Sequence, residues 1–106
     1  MSANVHSILK ELRCQLEALY GPRLVRMVLY GSQARGDAEP GSDIDVLVVL
    51  QGPVSPGAEI ARTSDIIASL SLTHGVVLSR AFVSSDRFER EQSPLLMNIR
   101  REGVAV

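Results

Sequence analysis

The fold turns on one stretch, Leu29-Tyr30-Gly31-Ser32-Gln33-Ala34-Arg35-Gly36-Asp37, which resumes as Gly41-Ser42-Asp43-Ile44-Asp45-Val46-Leu47-Val48-Val49-Leu50. The run Leu24 to Tyr30 is apolar and suited to a strand, with Arg26 as its single interruption. Gly31-Ser32 breaks it. Gln33-Ala34-Arg35 can make one helical turn, and Gly36 to Gly41, which contains Pro40, reads as a loop. Asp43 to Leu50 reads as a second strand whose last five residues are apolar on both faces, as expected for a strand inside a sheet covered by helices.

Upstream, Val5, Ile8, Leu9, Leu12, Leu16 and Leu19 recur at helical spacing until Gly21-Pro22, which predicts an amphipathic opening helix. Downstream, Gln51 to Gly57 is a loop, and Ala58 to His74 reads as one long helix with Ile60, Ile67 and Leu70 in register. Gly75 stops that helix, and Val76 to Val83 reads as a third strand. Asp86 and Glu89 fit a capping box, while Ser93-Pro94 opens a last helix that turns Leu95, Leu96 and Ile99 inward and ends at Gly103. The tail Val104-Ala105-Val106 suits either a short strand or a docking segment. The order of elements describes an α/β or α+β domain around a small sheet.

With 106 residues the chain reads as a single domain, 1–106, and its 45 % apolar content is that of an ordinary soluble protein. The core must be aliphatic, because the only rings are Tyr20, Tyr30, Phe82 and Phe88. A net charge of −1 gives no broad attraction for nucleic acid or acidic membranes. Cys14 is alone, so it forms no intrachain disulfide, and no segment approaches the ~20 apolar residues of a membrane span. The N-terminus carries no long apolar run, so the expected location is the cytoplasm.

Asp43 and Asp45 carry the chemistry. Strand residues two apart share a face, with Cα atoms roughly 6–7 Å apart, so the two carboxylates can converge on one or two hard cations. Mg²⁺ is usually held by one or two carboxylates together with substrate phosphates. Gly31-Ser32 lets the backbone approach a phosphate, and the amides of a helix start favour an anion. The Ser32 hydroxyl can add a hydrogen bond, and Arg35, one turn later, can aim its guanidinium at the same charge. Separately these are common features.

Together, Gly31-Ser32, ten intervening residues and Asp43-x-Asp45 resemble the signature of the DNA polymerase beta-like nucleotidyltransferase superfamily. The surrounding wording, and the ending Ile99-Arg100-Arg101-Glu102-Gly103, resemble its minimal nucleotidyltransferase branch; the motif spans about a fifth of the chain. The resemblance implies a nucleotidyltransferase-like fold, a small mixed sheet with helices packed mainly on one face. It implies Gly31 and Ser32 at the terminal phosphates of ATP or another nucleoside triphosphate, with Arg35 as electrostatic support. It assigns Asp43 and Asp45 to one or two Mg²⁺ ions as the catalytic pair. It further implies transfer of a nucleoside monophosphate, AMP from ATP, to a separate partner, a small helical HEPN-type protein that such an enzyme would modify as an antitoxin. The chain reads as having no domain for a template or a large acceptor, and a homo-oligomer stays open.

One departure stands out. The superfamily usually supplies a third carboxylate from the next core strand, and Val76 to Val83 contains no acid. Arg80 would bring positive charge there if it faced the site. The alternative function is therefore a nucleotide- or partner-binding module with weakened catalysis. His6 and His74 have no metal-ligand spacing, Arg100 and Arg101 could grip a nucleic-acid or nucleotide phosphate but read first as favourable helix-end charges, and Met27 and Met97 read as core filler.

Overall fold

The computed structural model describes residues 5–39 and 41–106. Pro40 and residues 1–4 lie outside the described residues, so the part of the loop that rests on Pro40 is not described. Helix α1 spans Val5–Tyr20 and buries Ile8, Leu9, Leu12, Leu16 and Tyr20 on one stripe. Leu19 leaves that stripe and is 40 % exposed. A short 3-10 turn, Gly21–Arg23, uses Pro22 to end the helix and delivers strand β1, Leu24–Tyr30.

Next come α2 (Ser32–Arg35), β2 (Ile44–Leu50), α3 (Pro56–Arg62), α4 (Ser64–His74), β3 (Leu78–Ser84), α5 (Ser85–Arg90), α6 (Pro94–Glu102) and β4 (Val104–Ala105). The four strands lie in the order β3-β2-β1-β4. β1 is antiparallel to both β2 and β4, whereas β2 and β3 are parallel. Parallel neighbours need a long crossover, and α3 with α4 supplies it. The sheet is mixed, as the resemblance implies.

Because β2 is covered on both sides, alternate residues enter two cores. Ile44, Val46, Val48 and Leu50 join Met27, Leu29, Leu78 and Phe82 beneath α1 and α4 in the larger core. Leu47 and Val49 join Val28, Val83, Phe88, Leu96 and Ile99 beneath α5 and α6 in the smaller one. The longest helices share the first face. Asp45 has the parity of Leu47 and Val49, so its carboxylate belongs to the second.

Four local readings change. The long helix expected over Ala58 to His74 is interrupted at Thr63, which is fully buried. Its hydroxyl donates toward the carbonyls of Glu59 and Ile60 and accepts from Arg80 Nε, a back-bonding habit that bends helices. The bend turns Glu59 inward to accept from the Tyr20 hydroxyl at 2.8 Å and leaves Ile60 42 % exposed. In α6 only Leu96 and Ile99 are buried, so Leu95 and Met97, expected inside, face outward.

Helix α5 is capped by Ser84, whose hydroxyl accepts from the Arg87 amide, two residues ahead of the expected Asp86. Gly103 does end α6, but in an extended rather than left-handed conformation. A Cβ there would collide with the Ile99 carbonyl and with Val28, so glycine lets β4 pack close. The tail pairs as a strand, Val28 with Ala105 and Leu29 with Val104.

Candidate functional site

The site starts where β1 ends. Tyr30 lies directly across from Asp45 in the antiparallel register, so the next residue, Gly31, arrives beside that carboxylate. Gly31 has φ 76° and ψ −155°, a region essentially reserved for glycine. A Cβ at Gly31 would sit 2.6 Å from Asp45 Oδ2. The missing side chain therefore brings the turn and the acid into contact.

From Gly31 the chain enters α2. The amides of Ala34 and Arg35 donate to the Gly31 carbonyl, and those of Gly36 and Asp37 to the Ser32 carbonyl. The Ser32 and Gln33 amides, at the start of the turn, are left over by its own ladder and are available to an anion. Gly36 closes the turn at φ 79°. Ser42 shapes the loop: its hydroxyl accepts from the Glu39 amide and its own amide donates to the Glu39 carbonyl, both at 3.0 Å. Gln33 donates across the loop to the Ser42 carbonyl at 3.4 Å. Asp37 accepts from Arg35 Nε at 3.2 Å.

Asp43 is exposed, one residue ahead of β2; Asp45 is half-buried as the second residue of the strand. Burial first, and then the charge of Asp43, push the Asp45 carboxyl above its ordinary value. Tyr30 is pushed up as well, by burial and then by the charge of Asp45. Among the described residues neither aspartate has an ion-pair partner. A divalent cation would relieve both the burial cost and the mutual repulsion. No group of three or more metal-ligating side chains is found among the described residues, so phosphate oxygens would have to complete the coordination. Two carboxylates two residues apart, close enough for the charge of one to act on the other, fit Mg²⁺ held in that way.

On the strand expected to supply a third acid, the residue in register with Asp45 is Ser79, which carries no carboxylate. Arg80 does not take its place. It lies on the opposite face, where its guanidinium donates to Thr63 Oγ1 at 3.2 Å and to the Ile60 carbonyl at 2.8 Å. A cleft of about 390 Å³ adjoins the site, with Tyr30, Gly31 and Arg35 on one wall and Asn98, Arg101 and Glu102 of α6 on the other. Of this second wall the sequence offered only Arg101, as one of two arginines able to grip a phosphate, and not its place beside α2. Asn98, Arg101 and Glu102 do share a helical face, but the spacing alone does not say that the face meets α2.

A family model described as a nucleotidyltransferase domain matches residues 9–95. A candidate protein adenylyltransferase of Methanocaldococcus jannaschii is 33 % identical over 88 residues, covering 83 % of this chain and 82 % of that protein. A solved structure of a candidate minimal nucleotidyltransferase superposes with a TM-score of 0.60 at 27 % identity, over 100 % of this chain and 97 % of that one. A toxin–antitoxin crystal structure with AMP-PNP has a TM-score of 0.59 at 20 % identity, over 89 % of this chain and 68 % of that one, a likeness of fold.

Proposed function

Since the chain belongs to the nucleotidyltransferase domain family, we propose that it moves AMP from ATP, with Mg²⁺, onto a side chain of a separate partner protein. The observation that carries this reading is the contact between Gly31 and Asp45. It sets a phosphate-binding turn against a carboxylate whose burial and like-charged neighbour call for a cation.

In this reading Gly31 and Ser32 bind the β- and γ-phosphates through backbone amides and the serine hydroxyl. Arg35 offsets their charge. Asp43 and Asp45 hold the metal, which, when bound, draws charge from the phosphates and offsets that of the leaving group. An acceptor oxygen attacks the α-phosphorus, the bond to the bridging oxygen breaks, and pyrophosphate departs. Ser79 offers no carboxylate to take the acceptor's proton, so that proton leaves by water or by the acceptor's own chain.

A protein acceptor is supported by the curated relative's description as a candidate protein adenylyltransferase. A toxin–antitoxin structure solved with AMP-PNP shares the fold; in this reading the acceptor is a small helical HEPN-type toxin, as the family resemblance implies, and the present chain is its antitoxin. The test is to incubate the protein with labelled ATP, Mg²⁺ and the product of the neighbouring gene, beside Asp43→Asn/Asp45→Asn. Label transferred by the unmutated protein alone supports the proposal. Saturable Mg²⁺-dependent ATP binding without transfer makes the chain a binding module, the reading that Ser79 favours. Absence of both removes the site altogether.

A further inference from the structure

We infer that Arg101 joins Arg35 in a cradle for the β,γ-phosphate tail, and that Glu102 holds the cradle as an internal stand-in for a phosphate until that tail enters. The inference rests on the nucleotide reading above and assigns α6 a part in it. Glu102 lies between two guanidinium groups and offers one oxygen to each. Its Oε2 is 3.9 Å from Arg35 Nη1, and its Oε1 is 3.6 Å from Arg101 Nη2.

Both distances are too long for hydrogen bonds, so the carboxylate is held by charge alone. Exposed pairs of this kind contribute little to stability. Each arginine is meanwhile positioned by a shorter contact. Arg35 Nε donates to Asp37 at 3.2 Å, and Arg101 Nη2 donates to Asn98 Oδ1 at 2.7 Å. The result is two cations from different elements, each oriented by one shorter contact, facing one weakly held anion.

The cleft they flank also contains Gly31 and Tyr30, so it opens directly from the phosphate turn. A phosphate group held at the Gly31 turn would therefore share this space with Arg35 and Arg101. A phosphate group carries more charge than a carboxylate and has three acceptor oxygens, enough to give both guanidinium groups charge-assisted hydrogen bonds. Displacing Glu102 by phosphate therefore exchanges loose contacts for close ones. The same carboxylate would compete for the cradle after the reaction and favour the departure of pyrophosphate.

The ligand class is a magnesium polyphosphate. ATP, tripolyphosphate and pyrophosphate should feel the cradle, and AMP should not. Calorimetric titrations of Mg·ATP, Mg·tripolyphosphate and AMP into the wild type, Arg101→Ala, Arg101→Lys and Glu102→Gln test this. Arg101→Ala should weaken ATP and tripolyphosphate roughly tenfold, the loss of one charge-assisted contact, and leave AMP within about twofold. Arg101→Lys should fall between, because lysine keeps the charge and loses the fork. Glu102→Gln should tighten both polyphosphates about two- to fivefold, the scale of an exposed ion pair.

Opposite signs at neighbouring positions cannot come from misfolding. Equal losses for ATP and AMP, or weaker polyphosphate binding by Glu102→Gln, would overturn the cradle. Unchanged variants beside a wild type that binds ATP would overturn it while sparing the nucleotide site. A wild type that binds neither ATP nor tripolyphosphate overturns both.

Discussion

Replacing Gly31 by alanine should damage stability and function through separable causes. The backbone at Gly31 sits at φ 76° and ψ −155°, and holding an L-residue there costs about 1–3 kcal/mol. The new methyl would also start 2.6 Å from Asp45 Oδ2, where ordinary contact begins at 3.4 Å. Asp45 must then rotate or β1 must shift, and a crowded contact of this kind adds about 1 kcal/mol or more. The total loss expected in urea unfolding is about 2–4 kcal/mol.

A double-mutant cycle separates the two parts. In an Asp45→Ala background the carboxylate is gone, so Gly31→Ala should retain only the backbone part, and the coupling should be about 1 kcal/mol. Mg²⁺-dependent ATP binding should be lost in Gly31→Ala. A Gly31→Ala loss below about 0.5 kcal/mol would refute both arguments, since surface substitutions without such strain fall in that range. A cost that is the same in both backgrounds would refute the clash alone.

Tyr20→Phe removes the donor to buried Glu59 and should cost about 1–3 kcal/mol by thermal or chemical denaturation. Burial first and the Glu59 hydrogen bond second raise the Tyr20 phenol to about 12, so its contribution is whole below pH 10 and declines as pH rises toward 12. Tyr20→Phe should flatten that alkaline loss; an unchanged slope would exclude Tyr20 as its source. Asp45 is also raised, so Mg²⁺ binding should fall away at a pH above the usual aspartate range as acid protonates it, and Asp43→Asn should move the Asp45 carboxyl signal to lower pH in an NMR titration. Because folded Asp45 keeps a proton that the unfolded chain releases, stability should decline as pH rises through that window, and Asp43→Asn should lessen the decline. Ser79→Asp places a third carboxylate in register with Asp45 and should tighten divalent-cation binding, read by Mn²⁺ titration; weaker binding would mean that residue 79 does not look onto the pair.

Most of the sheet was legible because its determinants are local. Gly21-Pro22, Gly31-Ser32 and Gly75 punctuate the chain, and the apolar run through Leu50 has nowhere to go but a sheet interior. The tie between Gly31-Ser32 and Asp43-x-Asp45 was legible too, since a short loop between antiparallel strands brings them together. What escaped depends on distant partners. Thr63 breaks its helix with help from Arg80, seventeen positions later. Glu59 points inward because Tyr20 waits there. The periodicity of 58–74 alone favours Ile60 over Glu59 for burial, and nothing nearby in sequence contradicts it. The α6 wall of the cleft escaped for the same reason, because which end of α6 meets α2 is decided by how Leu96 and Ile99 seat against Val28 and Leu47.

The placement of β2 also divides the molecule into parts that yield and parts that do not. The strand that carries Asp45 runs between both cores and is hydrogen-bonded along both edges, so its amides should exchange with solvent only on global opening. Asp45 is thereby close to a fixed point, and ligand binding has little freedom to reshape it. Adjustment between substrate entry and product exit falls instead to the exposed side chains of α2 and α6, which move within nanoseconds. Under the proposed reaction, a site built in this way spends its rigidity on the reacting phosphorus and its adaptability on the leaving group.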